Sequence, residues 1–150
     1  MKRLYVSIFL LFGLFAILAA TAPARAQSVQ EQTANITFTF NVGDKTFPAG
    51  LYRVRRLNPA SDRVALLIKS EDGRLSKMTL TSFVRPDKTA EQARLVFTRY
   101  GEQYFLTTVW THAQDDGLAL PTSRSERTLA RKAGERAPER MSIALGRRSR

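Results

Sequence analysis

The chain has no cysteine and a single histidine, His112. The first absence removes thiol nucleophiles, thiolate metal sites, redox sensing and a lipid-modified N-terminal cysteine together. It also means that the fold uses no disulfide staple. The second absence leaves catalysis short of partners. A Ser-His-Asp arrangement needs a nucleophile beside its base, and none is identifiable around His112. A zinc ion would have to be held by His112 and carboxylates alone, a poor ligand set. His112 therefore reads as a structural or exposed residue. Asp115-Asp116-Gly117 offers hard oxygen donors but lacks the spaced acidic ladder of a calcium loop, so it reads as a turn. The acids of the body fall at turns, loops and strand ends, where solvated charges sit, and supply no carboxylate pair for glycoside hydrolysis. The expectation is a non-enzymatic protein with no metal site and no cofactor.

Long apolar runs are also missing, except at the start. Met1-Lys2-Arg3 precedes the uncharged stretch 4–20, and small residues follow up to Ala24-Arg25-Ala26 before Gln27. That order is a secretory signal peptide, residues 1–26, cut between Ala26 and Gln27. The competing reading is an uncleaved membrane anchor, because 17 apolar residues approach the length of a bilayer span. Ala24 and Ala26 favour cleavage, since signal peptidase needs small side chains at those places. A periplasmic or secreted location follows, with membrane contact only through the signal if cleavage fails.

Removing the signal leaves 124 of the 150 residues, enough for one domain that buries well over half of its unfolded surface. The net charge of +11 is unevenly placed. Residues 27–121 carry twelve basic and ten acidic side chains, whereas residues 122–150 carry nine and three. The basicity thus belongs to the C-terminal end. Arg147, Arg148 and Arg150 could meet anionic lipid heads, phosphates or acidic polysaccharide, although a basic terminus is more often simply solvated. Nucleic acid is not the expected partner, because the tail has no interleaved aromatics.

The body alternates with period two. Ile36, Phe38, Phe40 and Val42 are separated by Thr37, Thr39 and Asn41, the pattern of a half-buried strand. Further strands are expected at 51–57, 64–70, 75–84, 94–100 and 104–111, with punctuation at Pro48-Ala49-Gly50, Asn58-Pro59, Glu71-Asp72-Gly73 and Arg85-Pro86. Ser123-Arg124-Ser125-Glu126 is a capping box opening a helix over 124–133, with Leu129, Ala130 and Ala133 as its apolar contacts. Residues 134–150 read as a basic, flexible tail, with Met141, Ile143 and Leu145 alternating as a possible edge strand. The expected fold is all-β: a single antiparallel sandwich or small barrel of six to seven strands over 27–121, then a short helix over 122–133.

The hairpin around Gly101-Glu102-Gln103 leaves its register open. A two-residue turn places Leu95, Phe97, Tyr104, Leu106 and Trp110 on one face; a three-residue loop joins Val96, Tyr100, Tyr104, Leu106 and Trp110 instead. Either way the opposite face keeps apolar groups such as Phe105 and Val109, so something must cover it: a second sheet, a helix, a ligand or another subunit. Arg99, Tyr100, Tyr104 and Trp110 form the candidate ligand site, a guanidinium beside aromatic rings suited to an anionic or sugar-like molecule. The competing reading is an arginine stem packed on aromatic surface at a hairpin end.

Three stretches carry a resemblance: Phe47-Pro48-Ala49-Gly50-Leu51-Tyr52-Arg53-Val54, the run from Leu95 to Leu106 with Val109-Trp110, and Ser123-Arg124-Ser125-Glu126-Arg127. Together they resemble a group of short exported bacterial β-rich proteins, over roughly residues 36–133. The resemblance implies one compact exported domain and carries over no functional residue. The leading expectation is an exported binding domain for a ligand or partner surface. The alternative is a structural, envelope-associated protein held to anionic surfaces by its C-terminal arginines.

Overall fold

The computed structural model describes residues 31–58, 64–85, 92–111, 117–134 and 137–147. The signal segment with Ala26 and Gln27, the residues His112, Asp115 and Asp116, and the arginines Arg148 and Arg150 lie outside the described residues. The described residues form twelve strands and one helix: β1 (Glu31–Ile36), β2 (Phe40–Val42), β3 (Lys45–Phe47), β4 (Gly50–Leu57), β5 (Ala65–Ser70), β6 (Ser76–Leu80), β7 (Ser82–Val84), β8 (Arg94–Tyr100), β9 (Gln103–Trp110), β10 (Gly117–Ala119), α1 (Arg124–Ala133), β11 (Glu139–Ala144) and β12 (Gly146–Arg147).

They build two sheets packed face to face, a sandwich rather than a closed barrel. The first sheet has the order β12-β1-β4-β5-β6; the second runs β11-β8-β9-β10-β7, with β2 and β3 added beside β9. Neighbours are antiparallel except β2 and β9, which pair in parallel through Phe40 with Tyr104 and Asn41 with Phe105. One edge of β9 is therefore shared, β2 taking its start and β10 its end.

The core follows the period-two pattern. Ala34 and Ile36 of β1, Tyr52 and Val54 of β4, and Leu66 and Ile68 of β5 meet Phe40, Val42, Phe47, Leu95, Phe97, Leu106, Val109 and Leu118 of the other sheet. Aromatic edges lock the centre: Phe40 stacks on Phe47 at 5.4 Å and meets Tyr52 and Phe97 edge-on at 5.0 and 5.5 Å. Buried Tyr52 donates its hydroxyl to the Pro48 carbonyl at 2.6 Å, which ties the Pro-Ala-Gly segment to the strand that follows it. Gln32, also buried, donates across the sandwich from β1 to the Thr111 carbonyl. These two polar side chains thus enter the core with a hydrogen-bond partner each.

More strands form than expected, in part because two of the expected strands change sheets. The run 36–42 is divided at Thr37–Thr39: Ile36 ends β1 in the first sheet and Phe40 begins β2 in the second. Alternation survives the crossing, since Ile36, Phe40 and Val42 are all buried, while half-buried Phe38 lies on Tyr104 at 4.2 Å. The run 75–84 divides at Thr81, whose amide and hydroxyl both donate to the Val64 carbonyl, at 3.0 and 2.7 Å. A corner needs its backbone satisfied locally, and threonine supplies the extra donor. β3 occupies 45–47, between the expected strands 36–42 and 51–57, where no strand was expected.

The helix spans Arg124–Ala133, with the Ser123 hydroxyl accepting from the Glu126 amide at 3.1 Å. Leu129 and Ala130 are half-buried, but Ala133 is exposed, so the helix docks through its first two turns. Residues 139–147 are not a free tail. β11 pairs along the whole of β8, Met141 and Ile143 facing the core, and Leu145 is buried as β12 crosses to β1 in the first sheet. The edge-strand alternation of Met141, Ile143 and Leu145 prevails there because each of those side chains finds apolar surface.

Candidate functional site

The site grows out of one irregularity in the β8–β9 hairpin. Tyr100 pairs with Gln103 across the two-residue turn Gly101-Glu102, where Gly101 takes φ +61°, as a hairpin turn with glycine first requires. Arg99 then faces Tyr104 and Phe97 faces Leu106, but Val96 faces Thr108. Thr107 is the extra residue of a bulge. Its carbonyl accepts from the Leu120 amide at 2.9 Å, and its hydroxyl donates to the Val96 carbonyl at 3.2 Å. Beyond the bulge the two faces exchange places. Val109, not Trp110, opposes Leu95 in the core, and Trp110 is turned to the outer face opposite Arg94. The two-residue register expectation therefore holds for Leu95, Phe97, Tyr104 and Leu106 and is corrected for Trp110.

The outer face of this sheet is covered in two ways. Towards the hairpin turn, α1 packs on β8. Phe105 points to this face and is 1% exposed, its ring 6.0 Å from Tyr100. Glu126 lies within electrostatic reach of Tyr100. Burial raises the Tyr100 phenol above its ordinary value; the Glu126 charge adds to this and the Arg140 charge opposes it. Glu126 is itself buried, and desolvation holds its carboxyl above the ordinary range although the Ser123 backbone amide opposes the shift.

Towards the other end no element among the described residues covers the strands, and a groove of about 680 Å³ opens. Its floor is Val96, Thr98, Thr107, Thr108 and Trp110; Arg140 and Ser142 of β11 line one side, Val84 and Arg85 the other. Arg94 lies over the Trp110 ring, 5.9 Å from its centroid. The ring is clamped from β10 as well, because a Cβ on Gly117 would stand 2.6 Å from its Cη2. Trp110 is consequently only 7% exposed, a wall that positions Arg94 rather than a stacking platform.

The electrostatics of the groove are one-sided. Arg85, Arg94 and Arg140 line it, no acidic side chain does, and none of the three has a salt bridge among the described residues. The Nε of Arg94, like that of Arg55 in the first sheet, is buried without a hydrogen-bond partner among the described residues. Ser142 and Thr108 add hydroxyls. The lining is a set of hydrogen-bond donors, and its guanidinium forks match carboxylate or phosphate geometry.

The four residues expected to form one ligand site are distributed over both faces. Arg99 and Tyr104 share the core side at its rim, the guanidinium 5.5 Å from the ring. Arg99 is already engaged: it donates to the Gly101 carbonyl at 2.7 Å and pairs with Glu139 at 3.2 Å and Glu102 at 3.4 Å. Tyr104, Glu139 and Glu102 together hold its pKa above the ordinary arginine value. Tyr100 belongs to the outer face at the α1 end, and only Trp110 reaches the groove. Arg85, Arg94 and Arg140 were missed by sequence reasoning. Arg94 and Arg140 sit at alternate positions of their strands, in phase with Val96 and Ser142, but the pairing of β11 with β8 joins stretches about forty residues apart. For Arg147 only the backbone is described, paired with Gln32 in β12.

Among the described residues no group of three or more His, Cys, Asp or Glu side chains is placed to hold a metal ion, and no helix is long and apolar enough to cross a membrane. No family model matches the chain, and no curated protein or solved structure matches it either.

Proposed function

We propose that this protein is an exported, non-enzymatic binding domain that holds an anionic ligand in the groove on the outer face of its second sheet. One observation carries the reading: three arginines line a single groove without an acidic partner among the described residues, and one of them buries an unpaired Nε against Trp110. Elsewhere in the molecule Arg53 pairs with Glu71 at 2.7 Å and Arg99 with Glu139 at 3.2 Å. Export rests on the N-terminal signal pattern of residues 1–26. The rival reading, an envelope-bound structural protein held through Arg147, Arg148 and Arg150, has less support, because the segment leading to those residues is committed to both sheets.

The test is native mass spectrometry of mature protein purified from the periplasm without denaturation. An extra mass that leaves on denaturation and is absent from Arg94→Gln protein supports the groove. The same extra mass retained in Arg94→Gln moves the ligand elsewhere. The protein mass itself reports whether the chain begins at Gln27.

A further inference from the structure

Resting on that reading, we infer that the ligand is an extended acidic polysaccharide segment rather than a single small anion. The placement of the cations carries the inference. Arg140 stands opposite Thr98, and Arg94 lies four residues back along the same strand, β8. At ~3.4 Å per residue and ~4.8 Å between strands, their backbones are about 14 Å apart. Val84, Gly117, Trp110 and Arg94 lie in one row across the sheet, and Arg85 follows Val84. Arg85 is thus separated from Arg94 by three strand intervals, about 15 Å, and from Arg140 by roughly 25 Å along the diagonal. One carboxylate or phosphate cannot touch Arg85 and Arg140 together. A chain with charges repeated along it can.

Between the arginines the lining is neutral and hydroxylic. Thr98, Thr107, Thr108 and Ser142 occupy the interval, and the Thr98 hydroxyl donates to that of Thr107 at 3.3 Å. Spaced cations separated by hydroxyls fit a polymer whose charges are spaced and whose intervening groups are themselves hydroxyls, which is the chemistry of an acidic polysaccharide. A polyphosphate packs its charges more closely than a uronate polymer and its internal units present no hydroxyls to that lining. The ring of Trp110, clamped between Arg94 and Gly117, offers no free face for stacking, so recognition falls to the forks and hydroxyls.

The experiment is a calorimetric titration of the mature protein at low salt, with Trp110 emission as a second readout. The probes are galacturonic acid, oligogalacturonates of two to six units, a neutral maltohexaose and a polyphosphate of matched length. The inference predicts affinity that climbs with uronate length to at least a hundredfold above the monomer, and no binding of maltohexaose. Arg85→Gln and Arg140→Gln should each lower hexamer affinity about tenfold while leaving thermal unfolding unchanged. Arg99→Gln should change nothing. A hexamer that binds no tighter than the monomer overturns the extended ligand and keeps the anion site. Polyphosphate binding more tightly than the hexauronate overturns the sugar and likewise keeps the anion site. Failure of every anion to bind overturns both readings.

Discussion

Replacing Gly117 by alanine tests whether Trp110 is clamped as described. The added Cβ would lie 2.6 Å from Cη2 and 2.8 Å from both Cζ2 and Cζ3 of the indole. Carbon atoms rest about 3.5–4.0 Å apart, so the ring must retreat by roughly 1 Å. It has little room to do so, being 7% exposed with Arg94 on it. Residue 117 does not have a positive φ, so the cost is contact alone, and overpacking of this kind costs about 1–3 kcal/mol. For a domain of this size a loss of about 2 kcal/mol lowers Tm by roughly 8 °C. Thermal unfolding followed by far-ultraviolet circular dichroism measures it. The control is the same substitution in Trp110→Phe protein, where the clashing carbons of the larger ring are gone and the penalty should largely vanish. Equal losses in the two backgrounds would refute the clamp.

Three further outcomes follow from the same geometry. Deleting Thr107 removes the bulge and returns Trp110 to the core side; the expected result is loss of cooperative unfolding, read by calorimetry, and a stable folded deletion would contradict the face exchange. Glu126 is held above its ordinary carboxyl value by burial, so its contribution to stability is present at low pH and fades as pH rises through the folded value. Denaturant unfolding of wild type against Glu126→Gln should therefore show wild type losing ground as pH is raised from about 4, and a pH-independent difference would speak against it. Tyr52→Phe deletes the bond to the Pro48 carbonyl and should cost about 1 kcal/mol in urea titrations.

Local signals carried much of the fold. The alternation of β4, β5, β8 and β9 and the capping box of α1 are complete within a few residues, and each element stands at its expected place. The expectation of a sandwich or small barrel resolves to the sandwich, the two sheets remaining distinct. What escaped depends on events that alternation does not register. A strand that changes sheets at Phe38 or Thr81 keeps its period, so 36–42 and 75–84 read as single strands. A bulge at Thr107 inserts a residue without altering composition, so Trp110 was assigned to the wrong side. The groove escaped for a related reason. Its arginines come from β8, β11 and the residue after β7, and a pairing between residues 94 and 144 leaves no trace in either stretch alone. Arg99, the arginine that aromatic neighbours made conspicuous, is the one already satisfied by Glu139 and Glu102.

The central claim is that unpaired groove arginines, not the hairpin arginine, meet the ligand. Nuclear magnetic resonance of arginine Nε–Hε groups, recorded while hexagalacturonate is added to the mature protein, tests it most directly. The account predicts shifts and slowed hydrogen exchange at Arg94, with smaller changes at Arg85 and Arg140 and none at Arg53 or Arg99. Changes concentrated at Arg99, with Arg94 unmoved, would contradict it.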